Sequence, residues 1–201
     1  IDNLIKAKVY WAKVWFDDLG DKNCRELASW IHEKIELEAA AFRYYYLSDD
    51  SGRSSITWLA SKALEEKAAL NVSGINTGGW AKATLNTFLN NRFYNAIPLE
   101  WRQLIKQCKI PSSIGDKSKE ISNSDCYIEI PAAIELTNGD YQIVREPYTS
   151  EGGVLDDPTI SYMTDDKARI RKQADGTAVD YYTRSPHAEY TNYYWYIGED
   201  G

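Results

Sequence analysis

The sequence predicts an α+β fold in which N-terminal helices precede a mixed domain of short antiparallel strands and long loops. Through the first third of the chain, apolar residues recur at helical spacing. The last part instead carries short runs rich in Tyr and Trp, bounded by turn residues, which is typical of strands. The pattern changes near residue 75, so we predict a helical extension at residues 1–75 and a mixed domain at residues 76–201.

The extension is predicted to contain three helices. Residues 1–19 carry one apolar stripe, and residues 24–42 carry a second in a helix that residues 21–23 would cap and residues 43–47 would close. The short connection after Gly20 predicts that the two helices form an antiparallel pair. Residues 48–55 have the composition of a loop. Residues 56–70 show a third apolar stripe, so a third helix is expected there.

The mixed domain is predicted to begin with helices and to continue in strands. Residues 81–95 have an apolar stripe, and Pro98 is placed to begin a second helix. Cys108 falls on the stripe of that helix, which Pro111 would end. Residues 112–125 are rich in Ser, Lys and Asp and are predicted to form a loop. The predicted strands are residues 126–130, 141–144, 169–172, 179–183 and 193–197.

Charge and hydropathy exclude several classes of partner. The net charge is −7. Nucleic-acid backbones and anionic membrane surfaces both attract basic proteins, so neither is an expected partner. No apolar run approaches the roughly 20 residues that span a bilayer, so we expect a soluble protein without membrane insertion.

The sequence contains no signature of a known catalytic site. It lacks a phosphate-binding Gly loop, a His-Glu-x-x-His motif and a Gly-x-Ser-x-Gly motif. Its two histidines, His32 and His187, have no evident nucleophile as a partner. We therefore predict no catalytic residues, and keep open a carboxylate pair that hydrolyses a polysaccharide. The candidates for such a pair are Glu129, Glu135, Glu151, Asp156, Asp157 and Asp180.

The cysteine pattern predicts free, buried thiols at Cys24, Cys108 and Cys126. An odd number of cysteines without a Cys-x-x-Cys pair argues against a disulfide framework and against zinc. A disulfide between Cys108 and Cys126 stays open. The Asp pairs at 156–157 and 165–166 offer oxygen ligands for calcium. No cofactor is predicted, with calcium as the open alternative.

The strongest signal for binding is an excess of Tyr and Trp. The chain has 15 Tyr and 7 Trp but only 4 Phe, and residues 180–201 are especially rich in them. Neighbours on a strand alternate sides, so these rings cannot all face one core. Exposed Tyr and Trp anchor protein partners and stack on sugars, whereas the alternative is that they pack under residues 145–168. The candidate ligand-binding residues are Arg184, His187, Tyr190, Tyr193, Tyr194 and Trp195.

Four motifs in order carry a family resemblance. The first two are the helical segment from Trp80 to Phe93 and the apolar segment from Cys126 to Leu136. The third is Glu151-Gly152 ahead of Arg169 and Arg171. The fourth is Arg184-Ser185-Pro186, followed by a strand centred on Trp195 and a Gly198-x-x-Gly201 turn. Together they resemble the bacterial and phage family DUF6273, which is similar to C-type-lectin-like domains. The resemblance implies a C-type-lectin-like core at residues 76–201. It also implies one more strand after Gly201, so the domain is expected to be truncated or completed by another chain.

The resemblance also bears on the candidate site. Lectins that bind sugar through calcium use Glu-Pro-Asn, Gln-Pro-Asp or Trp-Asn-Asp, and none of these occurs here. Arg184, Glu135 and Glu151 all lie in the family-like motifs. We expect Arg184 to form a buried pair with a carboxylate that ties the loops to the sheet, with the wall of a ligand pocket as the alternative.

These observations favour a non-enzymatic module for recognition, adhesion or assembly that binds a glycan or a protein through its Tyr- and Trp-rich surface. The resemblance implies a bacterial surface protein or a phage particle, and hence an extracellular, cell-surface or virion location. The alternatives are a carboxylate-based polysaccharide hydrolase and a purely structural component. The helices of residues 1–47 would then pack on the core or mediate homo-oligomerisation.

Overall fold

The computed structural model describes residues 9–10, 35–64, 68–118, 120–137, 160, 163 and 165–201. These residues confirm the α+β composition, with short helices beside short antiparallel strands. The strands are β1 (Val9–Tyr10), β2 (Glu36–Phe42), β3 (Ile56–Ala60), β4 (Cys108–Ser113), β5 (Ile121–Cys126), β6 (Arg171–Lys172), β7 (Ala178–Val179), β8 (Tyr181–Pro186) and β9 (Tyr194–Ile197). The helices are α1 (Gly79–Lys82), α2 (Thr84–Thr87), a π-helical segment (Phe88–Phe93), α3 (Tyr94–Ala96), α4 (Leu99–Arg102), α5 (Ala133–Thr137) and α6 (Asp166–Arg169).

The described strands form one three-stranded sheet, in the order β1-β2-β3, and three two-stranded sheets. The two-stranded sheets pair β4 with β5, β6 with β7, and β8 with β9, and every pairing is antiparallel. Each of these pairs joins strands that follow one another along the chain. The predicted character of the mixed domain, with short antiparallel strands, is thereby confirmed.

The prediction of helices is wrong for the described parts of the first 60 residues. Val9–Tyr10, Glu36–Phe42 and Ile56–Ala60 are strands of one sheet, in which Leu37 pairs with both Val9 and Ala60. The Ala-rich sequence of β2 favours a helix locally, but pairing on both of its edges overrides that preference. In β3, Ile, Thr and Trp are themselves strand-favouring residues.

The helix predicted to include Cys108, and the loop predicted at residues 112–125, are also wrong, because β4 and β5 form a regular ladder there. Pro111 lies inside β4 instead of ending a helix. Lys109 directs its N–H to the carbonyl of Tyr46 and not to β5. By alternation, the N–H that Pro111 lacks would also face away from β5, so the proline removes no bond of this ladder.

The strand predicted at residues 126–130 is wrong beyond its first residue. β5 ends at Cys126 because the side-chain oxygen of Asn90 accepts the N–H groups of Tyr127 (2.7 Å) and Ile128 (3.0 Å). The side-chain amide of Asn90 in turn donates to the carbonyl of Ile128 (2.8 Å). The chain then continues without a strand into α5.

The helix predicted at residues 81–95 is confirmed, although it is broken at Ala83 and passes through the π-helical segment. Its first turn is anchored by Trp80, which is fully buried. The side-chain amide of Asn86 donates to the carbonyl of Trp80 (2.9 Å). Of the helix expected between Pro98 and Pro111, only the beginning is confirmed, as α4 at Leu99–Arg102 directly after Pro98.

One hydrophobic core includes residues on both sides of the predicted boundary near residue 75. Tyr44 and Tyr45 belong to the same buried cluster as Trp80, Leu136 and Met163. The described residues before the boundary therefore share a core with those after it.

The C-terminal strand predictions at residues 179–183 and 193–197 are confirmed in β7, β8 and β9, apart from Asp180 and Tyr193. The strand predicted at residues 169–172 is confirmed only at Arg171–Lys172, because Arg169 ends helix α6. The other residues of the first predicted helix, the predicted strand at 141–144 and most of the segment 145–168 lie outside the described residues. Within the described part of the chain, no helix has the length and apolar character needed to cross a membrane.

Candidate binding surface

A short loop between β8 and β9, residues 187–193, carries the rings of His187, Tyr190 and Tyr193 near the C-terminal end of the chain. We call these residues the aromatic loop. Its base is closed by a hydrogen bond from the backbone N–H of His187 to the carbonyl of Tyr193 (2.9 Å). Beyond the base, β9 begins at Tyr194.

Four rings at this loop form a continuous cluster, which we call the aromatic patch: His187, Tyr190, Tyr193 and Trp195. The imidazole of His187 stacks on Trp195, with ring centroids 4.7 Å apart and an interplanar angle of 17°. Tyr190 meets His187 edge-on at 4.8 Å, and Tyr193 meets Tyr190 edge-on at 5.6 Å. Each ring is thus held by at least one neighbour, in the offset and edge-to-face arrangements that aromatic pairs favour.

The patch offers part of its ring surface to solvent. Tyr190 is 52% exposed and Tyr193 is 56% exposed, whereas His187 and Trp195 are half-buried. A tyrosine side chain combines an apolar ring with a hydroxyl that both donates and accepts hydrogen bonds. The exposed part of the patch can therefore contact an apolar face and a hydroxyl of the same ligand.

The imidazole of His187 has one nitrogen engaged within the loop. Its Nδ1 accepts a hydrogen bond from the backbone N–H of Glu189 (3.0 Å). A nitrogen that accepts a hydrogen bond carries no proton, so the neutral ring holds its proton on Nε2. Nε2 is therefore the donor that this ring can present to a ligand.

Of the six predicted ligand-binding residues, the four of the aromatic patch lie together and the other two lie apart. Tyr194 packs against the hydrophobic core. Burial raises the pKa of its hydroxyl to about 12, although the Asn71 side chain acts in the opposite direction. Arg184 is fully buried in the core. A ligand on the aromatic patch would therefore reach neither side chain directly.

A second pair of exposed tyrosines lies on the β8–β9 ribbon. Tyr182 and Tyr196 are directly opposite each other in the strand register and are 51% and 57% exposed. Because neighbours on a strand point to opposite sides, Tyr196 and Trp195 face different sides of the ribbon. Exposed rings agree with the prediction that the C-terminal aromatic residues cannot all face one core. The alternative, packing under residues 145–168, falls mostly outside the described residues. The pair offers a surface separate from the aromatic patch.

Arg184 is the centre of a buried cluster of charges. Its guanidinium pairs with Glu129 (Nη1–Oε2, 2.8 Å) and in a bidentate manner with Glu135. It also donates to the backbone carbonyls of Pro111 (3.1 Å) and Ile130 (2.8 Å). The pair between Arg184 and Glu135 confirms the expected buried ion pair, and its bonds join β4, β8 and the segment that leads into α5.

Tyr45 completes this cluster, which we call the Arg184 cluster: Arg184, Glu129, Glu135 and Tyr45. The Tyr45 hydroxyl lies 2.9 Å from Oε1 of Glu135 and 3.1 Å from Oε1 of Glu129, and can donate to either. The backbone N–H of Ala132 also donates to Glu135 (2.8 Å). These contacts satisfy the buried charges with hydrogen bonds, as a low-dielectric interior requires.

The balance of charge in the cluster is uneven, since two carboxyls share one guanidinium. Burial raises the pKa of Glu129 to about 7, with Arg184 opposing and Glu135 reinforcing the shift. Burial also raises the pKa of Tyr45 well above its ordinary value. The Glu135 side chain has no exposed area, and that of Glu129 is 15% exposed. The pair therefore does not present two carboxylates to a substrate.

The other acidic candidates have structural roles where they are described. Asp180 accepts the N–H of Glu199 (2.9 Å), and Asp165 accepts the N–H of Lys167 at the start of α6 (2.8 Å). Glu151 and the Asp pair at 156–157 lie outside the described residues. In the described ranges, no group of three or more His, Cys, Asp or Glu is placed to hold a metal ion.

Cys108 and Cys126 are free and buried, as predicted, and stand opposite each other at one end of the β4–β5 ladder. Burial raises the pKa of each thiol to about 11. Both are therefore protonated, unreactive thiols at neutral pH. Cys24 lies outside the described residues.

The described residues thus form an α+β domain with a buried charge cluster and an exposed aromatic loop. A family model, described as a domain of unknown function (DUF6273), matches residues 54–201. The match covers well over half of the chain, and the protein belongs to this family. No curated protein and no solved structure matches it. The matched region starts before residue 75, where the mixed domain was predicted to begin.

Proposed function

We propose that this protein is a non-enzymatic recognition module that binds a glycan through the aromatic patch. The supporting observation is that four neighbouring rings are held in fixed mutual orientations while two of them stay more than half exposed. The C–H faces of a sugar pack on such rings. Its hydroxyls find partners in the tyrosine hydroxyls and in Nε2 of His187.

The size of the aromatic patch favours a glycan over a protein partner. Stable protein interfaces engage roughly 20–30 residues on each side. The aromatic patch consists of four side chains from one loop and the strand that follows it. A few stacked rings suffice to hold an oligosaccharide, because each sugar unit offers its own apolar face.

The charge of the chain favours a neutral glycan. The net charge of −7 repels acidic polysaccharides over the whole surface. We therefore choose chitohexaose, a neutral β-linked oligosaccharide, as the probe. Its equatorial linkages leave flat C–H faces for stacking, and its acetamido groups add hydrogen-bond partners.

The proposal also includes the fold of the module and its location. We assign the module a C-type-lectin-like core, which the short antiparallel strand pairs support, and a place on a bacterial surface or a phage particle. Glycan binding is expected not to depend on calcium, because the calcium-binding tripeptides of such lectins do not occur in the sequence.

The test is a glycan array probed with the purified protein, with and without calcium. Tyr193→Ala should abolish the signal, whereas Tyr196→Ala should leave it unchanged. The two tyrosines are matched controls because they are 56% and 57% exposed and Tyr196 lies outside the aromatic patch. If no glycan gives a signal, or if both variants lose it equally, the proposal is wrong and a protein partner becomes the better interpretation of the patch.

A further inference from the structure

Asn76 lies in the interior directly beneath the aromatic loop. Its side chain is fully buried although it is polar. Nδ2 donates to the carbonyls of Tyr190 (2.7 Å) and Tyr193 (2.8 Å). The backbone N–H of Asn76 donates to the carbonyl of Thr191 (2.6 Å). Three of the seven residues of the aromatic loop are therefore bonded to one residue.

The bonds of Asn76 reach the rings of the aromatic patch through the backbone. The carbonyl of Tyr193 accepts both Nδ2 of Asn76 and the N–H of His187, which closes the base of the loop. Tyr190 and Tyr193 contribute the two most exposed rings of the aromatic patch. Loss of the Nδ2 donors would remove this partner from the carbonyl of Tyr190 and would leave the carbonyl of Tyr193 with only the N–H of His187. The backbone that carries these two rings would then be held less firmly.

The same side chain is fixed on its other end by the hairpin turn between β4 and β5. Oδ1 of Asn76 accepts the N–H of Asp116 (2.9 Å). Asp116 and Lys117 have positive φ angles of 54° and 62°, a conformation that is unfavourable for residues other than glycine. A Cβ at Gly115 would stand 1.9 Å from the carbonyl oxygen of Asn76, so the turn packs tightly against this residue.

We propose that Asn76 is the positioning residue of the glycan site: it holds the aromatic loop in the conformation that presents Tyr190 and Tyr193, and couples that loop to the turn at residues 115–118. This inference rests on the proposed function. Asn76 does not touch the glycan, and acts through the carbonyls of Tyr190 and Tyr193. The amide side chain is specific for this task because it combines two donors with one acceptor in a small volume.

The test is Asn76→Asp, a change of nearly equal size that removes both donors and retains the acceptor for Asp116. The matched control is Asn91→Asp, which makes the same chemical change at an exposed position. There, Nδ2 donates to a single carbonyl, that of Thr87 (3.0 Å). Titration calorimetry with chitohexaose should show a loss of affinity of about tenfold or more for Asn76→Asp and within about twofold for Asn91→Asp. Equal affinities of wild type and Asn76→Asp would overturn the inference.

A spectroscopic readout separates this inference from the proposed function. The imidazole of His187 stacks on Trp195, so its ring protons should resonate upfield of ordinary histidine shifts. The chain has only two histidines, and His187→Gln assigns the signal. Asn76→Asp should reduce the upfield shift, and Asn91→Asp should preserve it. If the wild-type protein does not bind chitohexaose, the proposal of a chitohexaose-binding site is wrong. The His187 chemical shift then decides on its own whether Asn76 fixes the conformation of the aromatic loop. An unchanged shift in Asn76→Asp would overturn that role.

The wild-type protein provides a second measurement in case Asn76→Asp does not fold. Both Nδ2 protons of Asn76 donate to carbonyls within the structure, so they should exchange slowly with solvent, together with the backbone amide of His187. The carboxamide of Asn91 is exposed and should exchange rapidly. Exchange of the Asn76 protons at the rate of Asn91 would contradict the inference.

Discussion

Arg184, in the Arg184 cluster, and His187, in the aromatic patch, are three positions apart along the chain but have opposite surroundings. Arg184, within β8, is fully buried with its donors directed to carboxylates and carbonyls. His187 begins a loop whose tyrosines are more than half exposed. The charged residue is inside and the aromatic rings are outside, the reverse of the usual distribution.

This difference in burial indicates that the two regions have different roles. The Arg184 cluster ties four segments of chain together, from Tyr45 to β8, and its polar side chains bond to one another and to the backbone. The aromatic patch keeps the rings of Tyr190 and Tyr193 more than half exposed, although Nε1 of Trp195 is buried. We therefore expect substitutions in the Arg184 cluster to lower stability, and substitutions in the aromatic patch to lower binding.

Arg184→Met should have the largest effect on stability. It leaves two buried carboxyls without their cation, which costs about 3–5 kcal/mol in the free energy of unfolding. Lys172→Met removes the same charge from an exposed side chain and should change that free energy by less than about 0.5 kcal/mol. Urea denaturation measures both. A loss below about 1 kcal/mol for Arg184→Met would show that the cluster does not stabilise the fold.

Tyr45→Phe should have an intermediate effect. It removes the hydroxyl that lies within hydrogen-bond distance of both Glu129 and Glu135, at a cost of about 1–3 kcal/mol. Tyr193→Phe makes the same change in the aromatic patch and should alter stability by less than about 0.5 kcal/mol. Equal losses in the two variants would remove the distinction between the regions.

Glu129→Gln should change the pH dependence of stability. The pKa of Glu129 is raised by burial from 4.5 to about 7, so the folded protein retains a proton that the unfolded chain has already released. The stability from this proton is fully present below about pH 4.5 and is lost as the pH rises through about 7. Glutamine stays neutral, so Glu129→Gln should lose less stability than wild type between pH 5 and pH 8.

Melting temperatures of wild type, Glu129→Gln and the exposed control Glu100→Gln at pH 5 and pH 8 test this prediction. The control should follow wild type. If Glu129→Gln also follows wild type over the whole range, Glu129 does not retain its proton in the folded state.

The sequence predicted elements that local pattern determines. The helix after Trp80 has its own apolar stripe, and β8 and β9 have their own aromatic runs, so both are confirmed. Strands β2 to β5 were missed because their identity depends on distant partners. The Ala-rich β2 is a strand through pairing on both edges, and Ser-rich β4 and β5 are strands through pairing with each other.

The candidate site was also predicted only in part, because some of its contacts join residues that are far apart in the sequence. Alternation along the C-terminal strands indicated exposed rings, and four of the six selected residues form the aromatic patch. Arg184 was selected from the same stretch, yet it packs against carboxylates 49 and 55 positions away. Asn76 lies in a Gly- and Asn-rich segment that resembles an ordinary loop. Its partners are 114 and 117 positions away, so no local signal marks it.

The most direct test of the account is a chemical-shift map of the wild-type protein titrated with chitohexaose. The account predicts shifts confined to the aromatic loop and the indole of Trp195, with the Tyr45 hydroxyl region and the Tyr182–Tyr196 pair unaffected. Shifts centred on the Arg184 cluster or on the Tyr182–Tyr196 pair, with none in the aromatic loop, would contradict the division between a stabilising interior and a binding surface.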